Sequence, residues 1–175
     1  MTLQYRTPEL LTAKHELQNF ECRSSEQTSW LKEFARVSTA SHTTKVFVVT
    51  TTNSHEVVAY YAWRMGDVSP VHLPDRMRKG VGRYSQPVAI LARLGVHIQH
   101  EKNGLGAGLL RDVILRMLNI SDQVGCRGLL IHCETQEARN FYRRLLPKIM
   151  DSPTDPLHLV LLRKDVQALL NQGIQ

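Results

Sequence analysis

Between Val88 and Leu118 the chain passes from an apolar stretch, VAILARLGVH, through IQHEKNGLGAG, into a patterned run, LLRDVILRML. No other segment limits the fold as much. The first stretch is apolar with little alternation, as in a central strand covered on both faces. In the third, Leu109, Leu110, Val113, Ile114, Met117 and Leu118 recur at helical spacing, which predicts a helix from about Gly104 to Val124. Gly104, Gly106 and Gly108 occupy every second position where that helix opens. A further short apolar run, RGLLIHCE, follows. Strand, helix and strand in that order form a crossover, and a crossover implies parallel pairing.

Other elements are placed around this centre. SSEQTSWLKEFARVSTAS, with Trp30, Leu31 and Phe34 in helical register, predicts a helix from about Ser25 to Ser38. Residues 44–65 read as a β-hairpin: TKVFVVTTT, the turn NSHE, then VVAYYAWRM. GDVSPVHLPDRMRKGVGRYSQP is a long polar loop with one helical turn near Asp75–Lys79; loops of such length usually bind something or are disordered. TQEARNFYRRL predicts a helix with Thr135 as its N-cap. PLHLVLLR is a last strand, and KDVQALLNQ a short terminal helix. The expected class is α/β, of the α+β kind with a mixed sheet, in a single domain over residues 1–175.

With 42% hydrophobic and 22% charged residues, 175 residues suffice for one core. No run of eighteen apolar residues suggests a transmembrane helix, and MTLQYRTPEL lacks the apolar region of a signal peptide. Cys22, Cys126 and Cys133 are odd in number and have no metal-like spacing, so the expected setting is a reducing cytoplasm. The formal net charge of +6 suits a polyanionic partner, although a basic surface without one has the same composition.

A helix N-terminus offers unpaired N–H groups and the positive end of the helix dipole, and glycines let a ligand come close, so phosphate is its natural guest. The residues leave the alternatives open. There is no Gly-Lys-Ser/Thr of a Walker loop and no GxGxxG spacing, and a helix start packed on its strand needs small residues too.

LARLGVHIQHEKNGLGAGLLRDVI resembles the strand-loop-helix of GNAT N-acetyltransferases, whose signature Gln/Arg-x-x-Gly-x-Gly/Ala binds the pyrophosphate of acetyl-CoA. Gly104 and Gly106 match it, and Glu101 stands at the first position. GLLIHCETQEARNFYRRL is similar to the family's next strand and helix, with Tyr142 at the usual catalytic tyrosine and Thr135 where asparagine is common. HELQNFECRSSEQTSWLKEFA, PVAILARLGV, QEARNFY and SPTDPLHLVLL together resemble the GNAT toxins of bacterial toxin–antitoxin pairs, over roughly residues 8–163.

That resemblance implies a GNAT acyltransferase fold, with helices on both faces of a central mixed sheet. The implied reaction is acetyl transfer from acetyl-CoA to the α-amine of aminoacyl-tRNA, which halts translation. Leu94, Gly95 and Val96 would pair with the pantetheine arm. Lys102, Asn103, Gly104, Leu105, Gly106, Ala107 and Gly108 would hold the phosphates, with Thr135 also on the cofactor. Tyr142 would act as general acid. The expected tRNA contacts are Arg76, Arg78, Lys79, Arg83 and Arg93, with Lys32 and Arg36 as possible additions and Trp63 or Tyr84 as base-stacking candidates. The implied partners are a ribbon-helix-helix antitoxin and a second copy in a homodimer, without a membrane. His97 and His100 have HxxH spacing but no third ligand, so no metal is expected. Two other functions remain open: acetylation of a small amine or protein N-terminus, and regulation by a degenerate acetyl-CoA-binding fold.

Overall fold

The computed structural model describes residues 2–172. Its seven strands are β1 (Glu9–Leu10), β2 (Lys45–Thr50), β3 (Val57–Val68), β4 (Gln86–Val96), β5 (Gly128–His132), β6 (Met150–Asp151) and β7 (His158–Leu162). They lie in the order β1-β2-β3-β4-β5-β7-β6. The helices are α1 (Ser25–Glu33), α2 (Ala35–Ala40), α3 (Asp75–Arg78), α4 (Leu105–Ser121), α5 (Gln136–Leu145) and α6 (Arg163–Gln172). β4 and β5 pair in parallel through Ala89↔Leu129, Ile90↔Leu130 and Leu91↔Ile131, whereas β1–β2, β2–β3, β5–β7 and β6–β7 are antiparallel. The expected mixed sheet and the β4–α4–β5 crossover are both present.

The chain divides into two compact units, residues 1–64 with 93–112 and residues 65–92 with 113–175. In the first, Val46 and Val48 of β2 and Tyr60 and Ala62 of β3 are fully buried, and they share a cluster with Leu11, Phe20, Leu31 and Ala35. Strand alternation sends Phe47 and Tyr61 to the other face, where their rings stack at 5.2 Å and the Tyr61 hydroxyl donates to Asp112 at 2.7 Å. Ser24 caps α1 by accepting from Gln27 N–H. The helix expected over Ser25–Ser38 is two, because Phe34 turns to φ −117° between them. Helical bonds flank the break on both sides. Phe34 N–H still donates to Trp30 and Ser38 N–H to the Phe34 oxygen, each at 2.9 Å, so apolar spacing alone cannot reveal it.

In the second unit Val88, Ile90, Leu130, Val160 and Leu162 form the sheet side of a cluster that Leu73 and Met77 complete. The segment expected as a long polar loop is therefore anchored. β3 continues to Val68, a 3₁₀ turn spans Pro70–His72, and α3 follows. Leu73 and Met77 are fully buried, and Arg127 donates to the Met77 carbonyl at 2.6 Å. Gly128 is fixed by closeness, since a Cβ there would lie 2.2 Å from the Leu161 carbonyl oxygen. β6 was not expected from the sequence; two residues show no periodicity. Asp151 on β6 is tied to α5 by Arg139 at 2.5 Å and by Arg143. Burial pushes the Asp151 carboxyl up, but the hydrogen bonds from Arg143 and Arg139 outweigh that and hold it below the usual carboxylate range.

Candidate active site

β4 is registered against β5 only as far as Leu91, so Leu94, Gly95 and Val96 lie past the last paired residue. On its other side the strand's course is kept by His97 N–H, which donates to Val58 at 2.8 Å. Gly95 is buried against Tyr60, Cys22 and Phe20. After a 3₁₀ turn over Ile98–His100 the backbone becomes left-handed at Lys102 (φ 64°) and again at Gly104 (φ 77°). A lysine in that region costs roughly 1–2 kcal/mol. Gly104 adopts it without a Cβ penalty, and a side chain added there would meet nothing within 4 Å.

The loop's hydrogen bonding favours an anion. Asn103 does not cap α4. Its side-chain amide donates to the carbonyls of His100 and Glu101, each at 3.1 Å, and so holds those oxygens back. The first helical bond joins Gly108 N–H to Gly104 at 3.0 Å. The amides of Asn103, Gly104, Leu105, Gly106 and Ala107 meet no acceptor among the described residues. A run of unpaired amides with the helix dipole behind them has the donor chemistry a diphosphate requires. Glu101, at the head of the loop, accepts from Arg23 Nε at 2.8 Å and from Arg23 Nη2 at 2.9 Å. Those hydrogen bonds lead the causes that keep its carboxyl below the usual range.

The second unit carries the phenol. Thr135 accepts from Ala138 N–H at 3.1 Å and starts α5, as expected of an N-cap; its hydroxyl is used there. Two turns later Tyr142 is buried, with Phe141 edge-on at 5.2 Å. Among the described residues its hydroxyl has no hydrogen-bond partner. Burial, and then the neighbouring Cys133 thiol, push the phenol above its ordinary range. Burial likewise pushes Cys133 up to about 11, so neither group ionises near neutrality. The thiol is inert as a nucleophile, and the phenol keeps a proton to donate.

The expected tRNA-binding cations differ in what they do. Arg76 grips the buried Asp165 through both Nη atoms, at 2.5 and 2.8 Å, and Arg78 pairs with Asp75 one turn back. Arg93 meets Glu26 at 3.2 Å and lies 4.9 Å above the Trp30 ring. Lys79 and Arg83 are exposed, as is Tyr84, at 82%. Arg36 donates to the Thr12 and His15 carbonyls and holds the N-terminal segment. Trp63 is half-buried with Tyr61 edge-on. His97 and His100 face each other edge-on at 5.6 Å, and each is already engaged, His97 with Asn19 and Gln99 and His100 with Tyr5. No group of three potential ligands able to hold a metal ion occurs among the described residues. Arg23 and Asp112 escaped the sequence reading. Each gains its place through a partner distant in sequence, which no local spacing signals.

No protein-family model matches the chain. Among solved structures, AtaT complexed with acetyl-methionyl-tRNAfMet superposes with a TM-score of 0.85 at 21% identity, covering 97% of this chain and 99% of that one. A tyrosine-to-phenylalanine mutant of AtaT bound to the C-terminus of the antitoxin AtaR and acetyl-CoA gives 0.79 at 19% identity, covering 98% and 100%. These likenesses define the fold as the GNAT acyltransferase type. In sequence, the chain is 34% identical over 166 residues, 95% of its length and 97% of the relative's, to the tRNA-acetylating toxin of Mycobacterium tuberculosis. The chain belongs to the family of tRNA-acetylating GNAT toxins.

Proposed function

We propose that the protein is a toxin that transfers the acetyl group of acetyl-CoA to the α-amine of aminoacyl-tRNA and thereby blocks translation. The observation that carries the chemistry is the row of unpartnered amides from Asn103 to Ala107 behind a left-handed loop, which fits the diphosphate of acetyl-CoA. Leu94, Gly95 and Val96 offer backbone for the pantetheine arm in strand-addition style. The acceptor needs no strong base, because an α-amino group titrates near about 7.7–8.0 and is partly neutral at pH 7. The amine nitrogen attacks the thioester carbon, the carbon–sulfur bond breaks, Tyr142 donates its proton to the departing sulfur to give the CoA thiol, and the proton shed by the acylated nitrogen passes through solvent to restore the phenol.

Residues 1–175 work in this reading as a single acetyltransferase domain. Lys79 and Arg83 are the cations best disposed for tRNA phosphates. Arg76, Arg78 and Arg93 reach them only by exchanging an internal partner. No described helix is long and apolar enough to cross a membrane. We assign the activity to the cytoplasm, where charged tRNA resides, with a ribbon-helix-helix antitoxin as the inhibitor and a homodimer as the assembly. The complexes of AtaT with acetyl-methionyl-tRNAfMet and with AtaR support a tRNA substrate and an antitoxin partner.

The test is cell-free translation with and without acetyl-CoA, followed by mass analysis of the tRNA ends. Acetylated aminoacyl ends and arrested synthesis are expected. Acetylation of other amines with tRNA untouched would replace this reading. Y142F is expected to lower turnover by about 10²–10⁴-fold, the scale of a lost general acid, while acetyl-CoA still binds.

A further inference from the structure

We propose that the cavity where β5 begins and β7 runs into α6 is a phosphate site that takes a nucleotide, through Arg127, Arg163 and Lys164. It shares no residue with the acetyl-CoA site read above and goes beyond that reading.

The cavity has a volume of about 290 Å³ and is lined by Cys126, Arg127, Leu162, Arg163 and Lys164. Strand pairing brings two of its cations together. Gly128 pairs with Leu162 in the antiparallel ladder, and one step further Arg163 N–H donates to the Arg127 carbonyl at 2.8 Å. The two arginines therefore stand opposite each other on neighbouring strands, where like charges destabilise. Lys164 follows Arg163, and the two residues open α6, so the positive end of the helix dipole adds to the same field.

The fold leaves these charges unbalanced. Arg163 is paired, through Nε with Ser121 and through Nη2 with Asp122. Arg127 is half-buried, yet its guanidinium meets only neutral oxygens, the Met77 carbonyl at 2.6 Å and Gln86 Oε1 at 3.5 Å. Among the described residues no carboxylate pairs with Arg127, and Lys164 has neither a side-chain hydrogen bond nor an ion pair. Asp165, next in the chain, already has both oxygens on Arg76. A part-buried guanidinium without a counter-charge is unfavourable, and an anion in the cavity relieves it. Cys126 and Leu162 are buried and give the cavity an apolar wall. Cations beside an apolar wall suit an anion that carries a flat apolar body, and the volume lies at the small end of ligand pockets, about 300 Å³. A nucleotide joins such a body to a phosphate, whose oxygens accept N–H donors from several directions. This one chemistry has two sources: a free nucleotide, or a nucleotide within a bound RNA strand.

The test uses the full chain, with AMP, adenosine and tRNA as probes. K164E sets a carboxylate beside Arg127 and Arg163, so the protein supplies its own anion. K148E makes the same change in net charge at an exposed lysine of the same unit. Calorimetry with AMP and fluorescence anisotropy with labelled tRNA are run on both variants. K164E is expected to bind at least one of these probes about tenfold or more weakly than K148E does, as for a lost charge-assisted hydrogen bond. A loss confined to AMP identifies a free nucleotide as the ligand, and a loss with tRNA identifies the RNA strand. Equal affinities of K164E and K148E for both probes overturn the proposal. So does adenosine binding that matches AMP and weakens equally in K164E, since the phosphate would then contribute nothing.

Discussion

At the scale of single residues, Tyr142 illustrates how burial assigns a role. An exposed phenol titrates near about 10 and would begin to lose its proton in mildly alkaline solution. Here burial raises it, with the Cys133 thiol adding to the shift. The expected pH profile of kcat/KM therefore climbs with deprotonation of the acceptor amine, at or below about pH 8, and stays level to about pH 10. Y142F should lower that curve without changing its shape. A descending limb near pH 10 in the parent that vanishes in Y142F would show an ordinary, solvated phenol. Stability carries the same signature. Above the unfolded value of about 10 the unfolded chain releases the phenolic proton first, so stability falls as pH rises through that range. Y142F should flatten the alkaline limb in denaturant titrations at successive pH values. The cap at Thr135 was legible from its pattern, and the resemblance alone singled out Tyr142. Arg23 was not legible, because its meaning depends on Glu101, 78 residues away in the chain.

At the scale of elements, legibility followed length and period. β2, β3, β4, α4, β5 and α5 each carry a run long enough to show alternation, continuous apolarity or helical recurrence. The helical turn expected near Asp75–Lys79 is present as α3, and what periodicity could not express was short or dihedral: the two residues of β6, the turn at Phe34, and the anchoring of the polar stretch that carries α3. The last case is instructive. Composition marked residues 66–87 as loop, yet Leu73 and Met77 fill a core whose other walls are strand residues. Apolar residues isolated among charges read as chance in a sequence and as anchors once the sheet lies beneath them. Gly128 makes the complementary point. It is the first residue of β5, and the neighbouring backbone leaves no room for even one carbon. G128A must push β5 away from β7 or break a pair, and its expected cost is about 3 kcal/mol or more, the upper end of overpacking. A urea midpoint measured beside that of an exposed alanine substitution checks this. A change below about 1 kcal/mol, the typical effect of a point substitution, would show that the two strands can part.

At the scale of the whole molecule, a net charge of +6 taken alone makes every basic residue a candidate nucleic-acid contact. Ion pairing divides them instead. Arg76 neutralises Asp165, which is 4% exposed, and Arg163 joins Asp122 at 2.5 Å and Ser121 at 2.6 Å. These cations hold α3 and α6 in place, and their charge is balanced within the fold. Lys79, directly after α3, and Arg83, in the turn beyond it, are both exposed. The two groups should separate under salt. Removing one cation that neutralises a phosphate lowers the slope of log affinity against log salt by about 0.7–0.9. K79A/R83A should therefore weaken tRNA binding most at low salt and reduce that slope by up to about 1.8, with an unchanged melting temperature. R76M should do the reverse, lowering the melting temperature because Asp165 is left without its partner, while the salt slope of the folded protein stays as it was. Fluorescence anisotropy of labelled tRNA over a salt series, paired with thermal melts of each variant, separates the outcomes. If R76M alone reduced the slope, Arg76 would have to leave Asp165 for the nucleic acid, and the division of the basic residues into structural and tRNA-facing sets would be wrong.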